Sequence, residues 1–164
     1  MRFRTRFRAC PQTTTAGWWN RTAGIFSRDA EIPLFPGARA MLAGLKARGH
    51  ILAIATGKSR AGLARALDNT GLRPLFAASR CADQCAPKPA PDMLCELMEE
   101  LGTNAVNTLM IGDTAHDLQM AAHAGVQAVA VSHGAHPRRD LVALAPLACV
   151  ENIDELTRWL AQNA

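Results

Sequence analysis

From about residue 25 onward, two hydrophobic rhythms alternate along the chain. "GARAMLAGLKARG" (37–49) spaces apolar residues at helical intervals, with Pro36 ahead and Gly49 as a stop. "HILAIAT" (50–56) is short and almost continuously apolar, which predicts a strand buried on both faces. "SRAGLARALDNTG" returns to helical spacing and ends near Gly71. "PLFAAS" is a short strand candidate, and "CADQCAPKPAP", with prolines at 87, 89 and 91, is a loop. "DMLCELMEELG" predicts a helix closed by Gly102, "NTLMIGD" a strand, and "TAHDLQMAAHAG" a helix closed by Gly125. "VQAVAVS" is a strand, "PRRDLVALA" begins a helix, "LACVE" is a short strand and "IDELTRWLAQ" a last helix. Strands separated by helices imply right-handed crossovers and a mostly parallel sheet, an α/β architecture.

Residues 1–24 follow neither rhythm, and are expected to form a disordered arm outside a domain spanning 25–164. This changes the meaning of the net charge of +4: residues 1–28 hold six arginines and no acid, leaving twelve basic residues against fourteen acidic ones. The body has no basic face for nucleic acid. No apolar run approaches the ~20 residues of a membrane helix, so no membrane partner is expected. The arm lacks a signal-peptide core, and the five cysteines are odd in number, which fits a reduced, cytoplasmic setting. Cys81-x3-Cys85 lacks the spacing of a zinc knuckle. His116, His123, His133 and His136 have simpler structural explanations than metal binding.

In parallel sheets, ligands gather at the carboxyl ends of the strands. Three strand ends carry chemistry. In "LAIATGKSR", Thr56 offers a hydroxyl, Gly57 a close-approaching backbone and the next helix its free N–H groups, a cradle for phosphate. Capping of that helix by Thr56 or Ser59 explains the same residues. In "CAPKPAPDM", Lys88 stands between two prolines, aimed at an anion or simply solvated in a turn. In "IGDTAHD", Thr114 and Asp117 match a capping box, a structural account of Asp117. Asp113 sits at the strand end, where a hard oxygen ligand would suit Mg²⁺.

The order of these stretches is more specific than any one of them. "LFPG", "ATGKSR", "KPAPDM", "MIGDTAHDLQMAAHAGV" and "GAHP" together resemble the haloacid dehalogenase superfamily of phosphohydrolases, in its phosphoglycolate phosphatase branch. The resemblance implies a three-layer, Rossmann-like core and Mg²⁺-dependent hydrolysis of a small phosphorylated metabolite through an aspartyl-phosphate. It implies that Thr56 and Gly57 bind the phosphoryl oxygens and that Lys88 neutralises charge. Asp113 would then bind Mg²⁺, while Asp117 supports the metal's waters or Lys88.

One part of the pattern is missing. The family's first motif, Asp-x-Asp after an N-terminal strand, supplies its nucleophile, and no Asp-x-Asp occurs in this chain. The helical cap that normally selects substrate is absent as well. The chain is therefore expected to be a truncated core, inactive or impaired, and alternatively a non-catalytic phosphate and Mg²⁺ module or a complementing fragment. The missing strand would lie centrally, between those ending at Thr56 and Asp113, and its loss would leave two inner edges unpaired. "MRFRTRFR" is a poor substitute, because it would bury four arginines on one face.

Overall fold

A computed structural model describes residues 34–164; the arm and the first residues of the expected domain, 25–33, lie outside the described residues. The elements alternate: α1 (Ala38–Ala47), β1 (Ala53–Thr56), α2 (Arg60–Thr70), β2 (Ala78–Cys81), α3 (Asp92–Glu100), β3 (Leu109–Gly112), α4 (Ala115–His123), β4 (Gln127–Val131), α5 (Arg138–Val142), β5 (Ala148–Val150) and α6 (Ile153–Asn163). Gly49, Gly71, Gly102 and Gly125, the four expected helix stops, all have positive φ, between 61° and 92°. A side chain would strain there, so the helices end where the chain can turn left-handed.

Every strand pairing is parallel. Among the described residues the strands form two sheets, β1–β2 and β3–β4–β5. β1 and β3 do not hydrogen-bond to each other, so among the described residues each has one edge without a strand partner.

Helices cover both faces, and their apolar stripes bridge the two sheets. On one face, Met93 and Leu94 of α3, Leu118 and Ala121 of α4, and Leu141 of α5 pack with Ala128 and Ala130 of β4, and also against Ala55 of β1 and Met110 of β3. On the other, Leu45 of α1 and Leu156 and Leu160 of α6 pack with Val129 and Val150, and against Leu52, Leu109 and Ile111. Adjacent residues of β4 thus serve opposite cores, as the period of a strand requires. The result is a three-layer α/β fold. Among the described residues, no helix is long and apolar enough to cross a membrane.

Two expectations need correction. The run 50–56 was expected to be buried on both faces; instead, Ala53 is exposed and Ile54, Ala55 and Thr56 are half-buried. β4 shows the cause by contrast. With a strand on each side, its Ala128, Val129 and Ala130 are only 9%, 0% and 0% exposed. Among the described residues, β1 has a strand on one side only. The strand expected at 74–79 begins at Ala78 and runs into Cys81, because residues 73–75 form a 3₁₀ turn around Pro74. Proline lacks the N–H that a ladder needs, which pushes the strand downstream.

The bridging clusters carry the cohesion of the fold. Met93→Ala, at a fully buried site, is expected to lower unfolding free energy by about 2–5 kcal/mol in urea titration. Val106→Ala, at a residue 93% exposed, is expected to change it by less than about 0.5 kcal/mol.

Candidate active site

The carboxyl ends of β1 and β3 meet around one lysine. Lys88 follows β2 on the proline-bounded loop, and its peptide bond to Pro89 is cis. Its ammonium donates to the carbonyl of Ala55 in β1 at 2.9 Å and to Asp117 Oδ1 in the first turn of α4 at 2.5 Å. One side chain therefore ties the end of the two-stranded sheet to the helix that follows β3. The lysine side chain is 17% exposed and that of Asp117 is 6% exposed. An ammonium has three donors, so one N–H of Lys88 remains beyond these two bonds.

Asp117 has a second duty. Its Oδ2 accepts from the Thr114 N–H at 3.2 Å and from the Thr114 hydroxyl at 2.8 Å. Thr114 Oγ1 in turn accepts from the Asp117 N–H, which completes the capping box. Of the two supporting roles considered for Asp117, the contact observed is the one with Lys88. The cap and the ion pair use different oxygens of one carboxylate, so the structural and electrostatic roles coexist.

Asp113 is half-buried at the end of β3. Its Oδ2 accepts from the Ala135 N–H at 3.0 Å, and its carbonyl accepts from the His136 N–H at 3.2 Å. The loop after β4 thus holds Asp113 in place. Thr56 is half-buried, and its hydroxyl accepts from the Lys58 N–H at 3.1 Å. Ser59, rather than Thr56, caps α2, accepting from the Gly62 N–H. Gly57 is exposed, and among the described residues a Cβ placed there would meet nothing within 4 Å.

Mg²⁺ takes oxygen ligands and keeps several waters. Asp113 would offer one such oxygen, its Oδ1, beside the Oδ2 that accepts from Ala135. Among the described residues, no group of three His, Cys, Asp or Glu could hold a metal. The donor set fits one protein ligand of a water-rich Mg²⁺ site and does not fit an all-protein cage. The Cys85 thiol donates to Glu96, and burial, reinforced by that carboxylate, pushes its pKa up to about 11. It therefore stays protonated near neutral pH.

Two glycines and a histidine were missed as site residues. A Cβ on Gly112 would lie 2.3 Å from Asp117 Cβ, and one on Gly134 would lie 2.2 Å from Asp113 Oδ2. Both acids stand where they do because these positions lack side chains. A glycine interrupting a strand pattern is a signal of close approach, and Gly112 carried it. His136 Nδ1 accepts from the Ala115 N–H at the start of α4 and so binds the same loop to that helix. His133 packs edge-on against Phe35, with ring centroids 4.4 Å apart.

Breaking the ion pair from one side strands a buried carboxylate. Lys88→Met is expected to destabilise the protein by about 3–5 kcal/mol, and adding Asp117→Asn should recover part of that loss. Equilibrium denaturation of the single and double variants checks this.

The geometry has relatives. A family model of haloacid dehalogenase-like hydrolases matches residues 2–125. The chain is 41% identical over 124 residues to the probable phosphatase IndB of Dickeya dadantii, covering 75% of this chain and 54% of that protein. It is 34% identical over 146 residues to the phosphoglycolate phosphatase of Rhodospirillum rubrum, covering 85% of this chain and 60% of that one. The chain thus spans little more than half the length of these relatives. The crystal structure of a predicted phosphatase from Clostridium acetobutylicum superposes with a TM-score of 0.72 at 25% identity, over 77% of this chain and 59% of that one. With the family's motifs placed at the strand ends, this chain belongs to the haloacid dehalogenase-like hydrolases.

Proposed function

We propose that this chain forms the phosphate- and Mg²⁺-binding side of a phosphatase for small phosphate monoesters, phosphoglycolate being the kind of substrate favoured. The observation that carries the reading is the placement of Lys88, held between the end of β1 and the start of α4. The names of the relatives support the substrate class.

In this reading, the Thr56 hydroxyl and the Gly57 N–H hydrogen-bond the phosphoryl oxygens. Lys88 places positive charge beside the transferring group, where preorganised charge acts most strongly. Asp117 fixes that ammonium and spares it any reorganisation. Asp113 would hold Mg²⁺, which supplies orientation of the phosphoryl group and an offset for its charge. A small anionic metabolite in a cytoplasmic setting completes the proposal.

The nucleophile is the weak point. No Asp-x-Asp stands in the sequence, and among the described residues Asp117, already committed to its cap, is the carboxylate in ion-pair contact with Lys88. This favours a second reading, a binding module or complementing fragment without turnover of its own. The chain alone is expected to hydrolyse p-nitrophenyl phosphate negligibly with Mg²⁺ present. Clear Mg²⁺-dependent turnover that Asp113→Asn abolishes would contradict this expectation and restore a complete catalyst. Absence of calorimetric heat with Mg²⁺ and phosphate at millimolar concentrations would remove the binding reading.

A further inference from the structure

We infer that His123 is a positioning residue for Lys88: from the far end of α4 it holds the backbone of the Lys88 turn, and so sets where the lysine's remaining N–H points. This rests on the phosphate-binding reading, since that N–H is the one that would meet the phosphoryl oxygens.

The turn has few means of its own to stay in place. Pro87, Pro89 and Pro91 lack an N–H, and the Ala90 N–H is spent within the turn on the Pro87 carbonyl at 3.0 Å. Fastening to the rest of the fold therefore falls to side chains and carbonyls. Two such bonds reach α4. The Lys88 ammonium meets Asp117 in the first turn of the helix. The Pro89 carbonyl lies 2.9 Å from Nδ1 of His123, the last helical residue. A carbonyl only accepts, so Nδ1 carries the proton of this bond. Asp117 and His123 stand about 9 Å apart along the helix axis. One helix thus holds both the head and the backbone of the same lysine arm. His123 is exposed, so core packing does not account for its place.

The head alone leaves the direction of the third N–H open. Two N–H groups of Lys88 are committed, to Ala55 and to Asp117. A tetrahedral ammonium then has two directions left: the Cε stem takes one and the third N–H takes the other. Which is which depends on the side from which the stem enters, and so on where the Lys88 backbone sits. Pro89 follows directly, and its ring locks φ, so a hold on its carbonyl restrains that backbone. Through this short, stiff relay His123 selects the direction of the free N–H.

The chain has three lysines, Lys46, Lys58 and Lys88, so nitrogen–proton NMR of the full chain reads the Lys88 ammonium directly, with Lys46→Arg and Lys58→Arg as assignments. His123→Ala and His123→Leu remove the donor, while His123→Asn returns an amide N–H near the place of Nδ1. In the Ala and Leu variants the Lys88 signal is expected to shift or broaden while those of Lys46 and Lys58 hold. Calorimetric affinity for inorganic phosphate with Mg²⁺ should fall about two- to tenfold, the worth of one net hydrogen bond. His123→Asn should restore both readouts, and urea midpoints close to wild type would separate positioning from loss of fold. An unchanged Lys88 signal in the Ala and Leu variants would overturn the inference, as would an Asn variant no better than Ala. Wild-type phosphate affinity in variants whose Lys88 signal has moved would overturn it too. Absence of phosphate binding by every protein, with the Lys88 signal still dependent on His123, would instead overturn the phosphate-binding reading and leave the hold of His123 on Lys88 standing.

Discussion

The Lys88–Asp117 ion pair is the contact on which the two halves of this molecule converge. Among the described residues β1 and β3 share no ladder, so no strand pairing joins the two sheets. Two apolar helix layers span the division, but an apolar contact has little directional preference. The ammonium, bonded to the Ala55 carbonyl and to a carboxylate in the first turn of α4, sets the register of one strand end against the other. Burial makes the pair costly to break and therefore a strong constraint on geometry.

That geometry is what brings separate motifs together as a candidate site. Thr56, Lys88 and Asp113 come from three separate stretches of chain, and each alone has an ordinary explanation. A capping residue, a turn lysine and a strand-end acid are common. Their convergence at one end of parallel strands is less so, and it follows from the crossover topology. Gly112 and Gly134 complete the arrangement by what they lack, since a side chain at either would push Asp117 or Asp113 aside.

Much of this was legible in the sequence, and the exceptions are instructive. The helices were readable because their apolar spacing and their glycine stops agree. The capping box at Thr114 was readable because it is a local motif, complete within four residues. The burial of 50–56 was misjudged because a continuous apolar run reports the chain's demand for burial, not whether a neighbour is present to satisfy it. The start of β2 was misjudged because Pro74 lies inside an apolar stretch and turns it. The hold of Ala135 and His136 on Asp113 and α4 joins segments some twenty residues apart, and no local pattern announces such a contact.

The central claim is that, among the described residues, β1 and β3 each have one edge without a strand partner. Amide hydrogen exchange resolved by residue tests it most directly. Along a strand, backbone groups point alternately to one side and the other, so a strand paired on one edge protects alternate amides only. The account predicts continuous protection along Ala128, Val129 and Ala130, and alternating protection along Ala53–Thr56 and Leu109–Gly112. Continuous protection in β1 and β3, equal to that of β4, would contradict it.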